Sequence, residues 1–239
     1  DPSAFGSLPG FFDLVVTDVP CSGEGMFRKD EEAQAQWSED NVALCASRQR
    51  RILADVWPSL AEGGMLIYST CTFNRLENDG NVQWIMQELD AEALYEGMES
   101  LYEGVIKSGL GFSLVPGFVK GEGQYCSAVR KRGSVPASRK MKPARTKSVA
   151  LPERLKQCFS IDVVLKQRGE TVIAVPASVN EDVEILASCL HVLSSGCAVG
   201  VLKGKDLVPD ADMALSIILD KDAYPAVDVD RQTALAFLH

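Results

Sequence analysis

FFDLVVTDVPC, residues 11–21, is an apolar run that ends in a proline and a cysteine. The run is rich in β-branched residues and apolar almost throughout, which predicts a strand buried on both faces of a parallel sheet. Pro20 ends this strand, so Cys21 lies just beyond its carboxyl end. A single cysteine is by default a small buried hydrophobe. Cys21 is therefore a core thiol, a metal ligand or a chemically active group, depending on what the fold places beside it.

A helix and a second apolar strand follow. Ser38 is the predicted N-cap of a helix that the glycines of EGG, residues 62–64, would end. MLIYSTCT, residues 65–72, predicts a second buried strand, and Asn74 with Glu77 predicts a capping box that opens another helix. This order predicts a right-handed βαβ unit of a doubly wound α/β sheet, whose two strands are parallel neighbours.

The remainder of the chain predicts two further parts. FSLVPGFVKGEGQYCSAVRK, residues 112–131, predicts a hairpin that closes the sheet of a first domain at residues 1–132. The Pro-, Ser- and Lys-rich residues 133–150 predict a linker. Residues 151–239 predict a small α+β domain with a hairpin around Arg168, a further β segment and two helices.

Composition bounds the class of protein. The 239 residues are 46% hydrophobic and 24% charged, which is ordinary for a globular protein, and no apolar run approaches the roughly 18 residues needed to cross a membrane. We therefore expect a cytoplasmic protein. The seven cysteines include no C-x-x-C pair, so we expect reduced thiols and neither a disulfide framework nor a closed zinc site.

Charge is unevenly distributed along the chain. The formal net charge is −9, which argues against an acidic partner, yet residues 130–147 hold eight basic residues and no acidic one. A local basic ribbon can still contact phosphates, because screening limits charge interactions to a Debye length of roughly 8 to 10 Å. A solvated linker is an equal alternative. The candidate RNA-binding residues are Arg130, Lys131, Arg132, Arg139, Lys140 and Lys142, with Arg28 and Lys29 as candidate phosphate contacts near the first strand.

The predicted topology brings three reactive side chains together. Ligands of open α/β sheets bind outside the carboxyl ends of the strands. The first strand delivers Asp18 and Cys21 to that edge, and the second delivers Cys71. Because adjacent strands lie about 4.8 Å apart, we expect both thiols to face one cleft. For Asp18 alone, a strand-end carboxylate that caps the following turn is the simpler alternative.

Two motifs now carry a family resemblance. DVPCSGEGMFRKD, residues 18–30, followed by YSTCTFNRLEN, residues 68–78, resembles the paired signatures of the Sun/Nop-type RNA cytosine-C5 methyltransferases, most closely their RsmF-like ribosomal RNA branch. Weaker similarity continues in residues 121–131 and in the C-terminal region. The resemblance implies the C-terminal half of a Rossmann-like methyltransferase sheet, joined to a small, incomplete PUA-like α+β domain that binds RNA.

The resemblance also implies a mechanism. The cofactor is S-adenosyl-L-methionine, Cys71 adds to carbon 6 of cytosine, and Cys21 assists release of the product. Asp18 and Pro20 lie against the cofactor, and Asp18 also faces the target base. In DNA cytosine-C5 methyltransferases the cysteine of a P-C motif attacks, which would instead assign the nucleophile to Cys21. Geometry alone does not choose between the two thiols, but the presence of STCTF favours Cys71.

The same resemblance sets the expected partners. The substrate is expected to be an unpaired or flipped-out cytosine of RNA, most simply of small-subunit ribosomal RNA. We expect a monomer, with no metal and no membrane partner. His191 and His239 both lie outside the catalytic segment, so neither serves as its general base.

One feature expected of a whole methyltransferase is not found in this sequence. Such a domain begins with a strand that leads into a glycine-rich cofactor loop, and nothing before Phe11 supplies it. We therefore expect these 239 residues alone neither to bind S-adenosyl-L-methionine tightly nor to methylate RNA. Two alternatives stay open: a thiol redox or metal protein built on Cys21 and Cys71, and an RNA-binding chain with no activity of its own.

Overall fold

The protein divides into two compact units in a computed structural model, which describes residues 1–94, 103–133, 153–204, 206–225 and 227–238. Unit 1 spans Asp1–Lys140 and unit 2 spans Met141–His239. Most of the predicted linker lies outside the described residues, and so do the candidate RNA-binding residues Arg139, Lys140 and Lys142.

Unit 1 is built on a six-stranded sheet in the order β1-β2-β6-β5-β4, with β3 paired to β6. β1 and β2 are parallel neighbours, as predicted, and the remaining pairs are antiparallel. β5 and β6 form the predicted closing hairpin, whereas β3 and β4 were not predicted. The strands are β1 (Phe12–Asp18), β2 (Leu60–Thr70), β3 (Ala91–Ala93), β4 (Val105–Ser108), β5 (Gly111–Leu114) and β6 (Gln124–Lys131).

Three α-helices accompany this sheet: α1 (Glu31–Gln36), α2 (Glu39–Val56) and α3 (Asp79–Glu88). The predicted N-cap of α2 is confirmed, because Ser38 Oγ accepts a hydrogen bond from the Asn41 amide at 3.1 Å. Helix α2 is the crossover helix between β1 and β2. The core of unit 1 packs α2 and α3 against the sheet. It includes Leu53, Leu66, Tyr68, Val82 and Val129, all fully buried.

β1 is not buried on both faces, and that prediction was wrong. The side chains of Leu14 and Val16 are 50% and 63% exposed. β1 is the edge strand of this sheet, and Val15 alternates toward the core while its neighbours point the other way. One face of the strand is therefore covered by the core and the other is open.

The predicted end of the crossover helix was also wrong. α2 ends at Val56, and a short 3-10 turn, Trp57–Ser59, carries Pro58 at its start. The EGG glycines lie inside β2, where Gly63 has φ of 72° and the pairing with β1 shifts register. Proline ends the helix, and the glycines make a bulge in the strand that follows.

α3 begins later than the capping-box motif predicted. Asn74 does not cap it, because its Oδ1 accepts a hydrogen bond from the Leu76 amide at 2.8 Å in a local turn. The helix starts at Asp79, and Glu77 contacts the loop after β1 instead. Side-chain hydrogen bonds within the turn compete with the helix start at these residues.

Unit 2 holds a four-stranded antiparallel sheet in the order β10-β9-β8-β7. The hairpin predicted around Arg168 is confirmed, and the predicted β segment is itself a hairpin. Helix α4 was not predicted, and α5 is shorter than its apolar pattern suggested. The elements are β7 (Val163–Arg168), β8 (Thr171–Pro176), α4 (Asn180–Cys189), β9 (Cys197–Lys203), β10 (Asp206–Pro209), α5 (Ala211–Leu215) and α6 (Arg231–Leu238). Across the described ranges, no helix has the length and apolar content required to cross a membrane.

Candidate active site

The two motif cysteines meet at the carboxyl ends of β1 and β2. Asp18 pairs in register with Ser69, and each strand gives way to its cysteine within three residues. The Sγ atoms of Cys21 and Cys71 lie 3.0 Å apart, both residues are half-buried and both thiols are free. The expectation that the two strands bring their thiols together at one edge of the sheet is confirmed.

The contact makes the two thiols unequal. A hydrogen bond from Cys21 lowers the pKa of Cys71 to about 7. The same hydrogen bond, with burial, raises the pKa of Cys21. At pH 7 about half of the molecules therefore hold a thiolate on Cys71, while Cys21 keeps its proton. A thiolate in this position is a good nucleophile and a thiol beside it is its hydrogen-bond donor.

Asp18 is exposed at the end of β1. Its Oδ1 accepts hydrogen bonds from Ser69 Oγ at 2.9 Å and from Gln124 Nε2 at 3.3 Å. The negative charge of Asp18 acts on Cys71, where it opposes the ionisation that Cys21 favours. The carboxylate therefore lies within electrostatic reach of the thiolate and keeps further lone pairs for another donor.

The buried carboxylate of Glu77, which was not predicted as a site residue, holds the Cys21 loop in place. Glu77 is fully buried, and its Oε2 accepts hydrogen bonds from the Ser22 amide at 3.1 Å and from Gln49 Nε2 at 2.7 Å. Gln49 Nε2 also donates to the carbonyl of Pro20 at 2.9 Å. Burial raises the pKa of Glu77, and its donors oppose that shift. The residues on both sides of Cys21 are thus fixed by one network.

A second set of buried contacts joins the two cysteine loops directly. Ser22 Oγ and Thr72 Oγ1 are 3.0 Å apart, so the residues that follow each cysteine are hydrogen-bonded to one another. Asn78 accepts from Thr70 Oγ1 at 2.6 Å and donates to the Thr72 carbonyl at 2.9 Å. These bonds brace the turn that carries Cys71. Buried polar groups with partners of this kind specify one geometry.

Gly25, in the loop after Cys21, lets that loop lie directly against the backbone of the Cys71 loop. The Gly25 amide donates to the Cys71 carbonyl at 2.9 Å. A Cβ at Gly25 would lie 2.6 Å from the Gly123 carbonyl oxygen and 2.8 Å from that of Cys71. Any side chain here must therefore displace backbone, which explains the glycine.

The candidate phosphate contacts near the first strand are both engaged with the loop before β6. Lys29 Nζ forms an ion pair with Glu122 at 3.0 Å, and Arg28 donates to the Gly121 carbonyl at 3.3 Å. Both cations stay exposed. They can contact a further anion only by sharing or exchanging these partners.

Of the basic residues that end β6, one must be removed from the RNA-binding candidates. Lys131 is 7% exposed, and its ammonium donates to the carbonyls of Trp57 and Leu60 at 2.9 and 2.8 Å. Burial lowers its pKa. Arg130 and Arg132 remain exposed, and both pair with Glu92, at 3.5 and 3.1 Å. Lys131 is a structural cation because strand alternation turns it inward.

A cavity of about 530 Å³ runs along the open side of β1. Its lining is mostly apolar and includes Leu14, Val16, Asp18 and Pro20. Asp18 and Pro20 bring it to the residues next to Cys21. Within the ranges that the structure describes, no group of three or more histidine, cysteine, aspartate or glutamate side chains is placed to hold a metal ion.

Comparison with known proteins identifies relatives of this chain. A protein named ribosomal RNA small subunit methyltransferase F from Pectobacterium atrosepticum is 37% identical over 140 residues, covering 57% of this chain and 29% of the relative. A protein of the same name from Shewanella baltica is 32% identical over 183 residues, covering 72% of this chain and 38% of that one. The crystal structure of NSun6 from Pyrococcus horikoshii with SFG is 20% identical, with a TM-score of 0.44, over 56% of this chain and 34% of that chain.

These relatives are longer than the chain, which spans 29% and 38% of the first two. The match to a family is nevertheless broad. Residues 1–130, more than half of the sequence and all of the strands that form the cysteine site, match the family described as 16S rRNA methyltransferase RsmB/F. The chain belongs to this RsmB/F methyltransferase family and is RsmF-like within it.

Proposed function

We propose that this chain carries the catalytic cysteines of an S-adenosyl-L-methionine-dependent RNA cytosine-C5 methyltransferase that acts on ribosomal RNA. The observation that carries the proposal is the 3.0 Å contact between Cys21 and Cys71 at the ends of two parallel strands. Membership of the methyltransferase family supports the reaction class. The position on the base rests on the resemblance of the two cysteine motifs to those of RNA cytosine-C5 methyltransferases.

Cys71 is the nucleophile in this proposal. Carbon 5 of cytosine is a poor nucleophile, so the Cys71 thiolate adds to carbon 6, forming an S–C bond and giving carbon 5 enamine character. This covalent step divides one difficult reaction into easier ones. Cys71 suits the role because its pKa, lowered to about 7 by the hydrogen bond from Cys21, leaves it substantially ionised at neutral pH.

Cys21 acts through its hydrogen bond to Cys71. A carboxylate or a water takes the carbon 5 proton, the S–C bond breaks, and the sulfur of Cys71 departs as a thiolate. The Cys21 thiol then donates its hydrogen bond to that departing sulfur, as it does at 3.0 Å in the free site. A thiol with a lower pKa leaves faster, so removal of Cys21 slows the release of the product.

Asp18 polarises the base. Its exposed carboxylate can accept a hydrogen bond from the cytosine amino group or favour a proton on ring N3. Either interaction draws electrons from carbon 6 and promotes attack by Cys71. Ser69 and Gln124 restrain the carboxylate, because both donate hydrogen bonds to its Oδ1.

The cavity along β1 fits one side of the proposed cofactor. S-Adenosyl-L-methionine carries a cationic sulfonium and a flat aromatic adenine whose faces suit apolar contacts, and the cavity offers apolar residues with a carboxylate at one end. Asp18 and Pro20 are the residues proposed to hold it. When bound, the cofactor supplies the methyl group that carbon 5 accepts.

The RNA partner is proposed to be small-subunit ribosomal RNA, presented as an unpaired cytosine. Arg28, Lys29, Arg130 and Arg132 are the exposed candidates for its phosphates. Unit 2 is proposed as a PUA-like RNA-binding part. A cytoplasmic monomer without a metal or membrane partner remains our prediction.

The experiment uses the complete gene product that contains these residues, with RNA and S-adenosyl-L-methionine. Cys71→Ala should abolish both methylation and the covalent protein–RNA adduct, whereas Cys21→Ala should accumulate the adduct. Cys45→Ala, half-buried on α2, is the matched control and should change neither. The reverse pattern at the first two positions would transfer the nucleophile to Cys21, as in the DNA-type alternative.

A further inference from the structure

The cysteine pair has a chemical property that methyl transfer does not use. Two sulfur atoms lie 3.0 Å apart in the loops that follow neighbouring strands, and a disulfide needs them at about 2.05 Å. Closure of the pair therefore requires the two sulfur atoms to approach by about 1 Å.

The surrounding contacts keep both sulfur atoms in place. The Ser22 and Thr72 hydroxyls bind each other directly after the two cysteines, and the Gly25 amide holds the Cys71 carbonyl. Each of these contacts joins the Cys21 loop to the Cys71 loop. The pair is preorganised for a bond between its own members.

We propose that Cys21 and Cys71 form a reversible disulfide on reaction with a hydroperoxide, which makes this site redox-sensitive. In the first step the Cys71 thiolate attacks the peroxide, so an S–O bond forms, the O–O bond breaks and hydroxide leaves. In the second step the sulfur of Cys21 attacks the resulting sulfenic acid. An S–S bond forms, the S–O bond breaks, and the oxygen departs as water with the proton of Cys21. The two thiols lose two electrons, which reduce the peroxide.

The site meets the other requirements of such a reaction. Oxidation-sensitive cysteines are ionised, accessible and close to a resolving thiol. Both residues are half-buried, so each is partly accessible to a molecule as small as hydrogen peroxide. A dithiol reductant reverses the bond by thiol–disulfide exchange and leaves as its own disulfide.

The consequence for catalysis rests on the proposed function. A disulfide occupies the nucleophile and its hydrogen-bond donor together, so methyl transfer stops until the bond is reduced. Bond formation itself needs neither RNA nor cofactor. The two ideas therefore fail separately: a complete gene product that forms the disulfide when oxidised, but forms no RNA adduct when reduced, refutes the methyltransferase proposal alone.

The test treats the reduced protein with hydrogen peroxide at neutral pH, then maps its tryptic peptides by mass spectrometry. Trypsin places Cys21 in residues 1–28 and Cys71 in residues 52–75, each with no second cysteine. We expect these two peptides to become linked, with loss of two hydrogen atoms, at least about tenfold faster than Cys45 is oxidised, and dithiothreitol to separate them.

Variants keep the result interpretable. In Cys21→Ala, which lacks the resolving thiol, Cys71 should stop at the sulfenic acid and be trapped by dimedone. Cys45→Ala should link the two peptides at the rate of the unchanged protein. The proposal is overturned if the unchanged protein gives sulfinic acid at Cys71 without the linked peptide, or if other cysteine pairs link equally fast.

Discussion

Replacing Cys21 by alanine should change how the reactivity of Cys71 depends on pH. The hydrogen bond from Cys21 is the largest influence on Cys71, and it lowers the pKa of that thiol from its ordinary value of 9.0 to about 7. Burial and the charge of Asp18 both act in the opposite direction. Without Cys21, the pKa of Cys71 should therefore rise to 9.0 or above.

Two opposing changes set the rate at which Cys71 reacts: the fraction of thiolate falls, and the nucleophilicity of each thiolate rises. At pH 7, a shift from a pKa of about 7 to 9.0 reduces the thiolate from about one half to about 1%, which is about fiftyfold. The more basic thiolate is intrinsically more nucleophilic, by about eightfold over two pKa units. Cys71 in Cys21→Ala should thus react at least about sixfold more slowly at pH 7 and, for a pKa of 9.0, faster than in the unchanged protein above about pH 8.

The assay is iodoacetamide alkylation across pH, with the peptide of residues 52–75 quantified by mass spectrometry. The rate should rise with pH, because the thiolate is the reactive form, with a midpoint near pH 7 in the unchanged protein. Cys45→Ala serves as the control and should leave that midpoint in place. A midpoint near 9 in the unchanged protein, or one that stays fixed in Cys21→Ala, would refute the reasoning.

Three further predictions concern the scaffold, and tryptophan fluorescence during denaturation measures them because all three tryptophans lie in unit 1. Glu77→Ala leaves two buried donors without their acceptor and should lower the free energy of unfolding by about 2 to 5 kcal/mol, whereas Glu88→Ala, exposed on the helix that follows, should change it by under about 0.5 kcal/mol; equal effects would contradict the buried network. In Gly25→Ala the new Cβ would push against the backbone of Gly123 and Cys71, which should lower the free energy of unfolding by about 1 to 3 kcal/mol and raise the pH midpoint of Cys71 alkylation. Gly6→Ala, with nothing within 4 Å of its Cβ, should change neither quantity. Ser38→Ala removes the N-cap of α2 and should cost about 1 kcal/mol, and an unchanged denaturation midpoint would show that the cap is dispensable.

The cysteine site could be predicted because it depends on topology. Two apolar runs separated by a helical segment give parallel neighbouring strands, and parallel strands end at one edge. Cys21 and Cys71 follow those ends in the sequence, so their meeting requires no knowledge of side-chain packing. Motif order and strand order were sufficient.

The support beneath the site could not be predicted in the same way. Glu77 stands three residues after Asn74, which is the spacing of a capping box, and the local pattern carries no sign of the distant Ser22 amide. Long-range hydrogen bonds of this kind depend on how the turn packs after folding. Buried carboxylates are rare, so sequence statistics favour the local interpretation.

The burial of Lys131 could have been predicted, because the alternation of residues along β6 indicates it. In β6 the residues Tyr125, Ser127 and Val129 alternate inward, and Lys131 continues that alternation. Reading the basic residues as one charged run concealed the period of two. The exposed face of β1 was misread for another reason, since an apolar run cannot show whether its strand lies at the edge of a sheet.

The central claim is that Cys71 attacks the base, and one measurement tests it most directly. The complete gene product is incubated with S-adenosyl-L-methionine and RNA that contains 5-azacytidine, whose ring nitrogen at position 5 has no proton to lose, so release is blocked. After digestion, the attached nucleotide should be found on residues 52–75, which contain Cys71. A nucleotide on residues 1–28, which contain Cys21, would contradict the account.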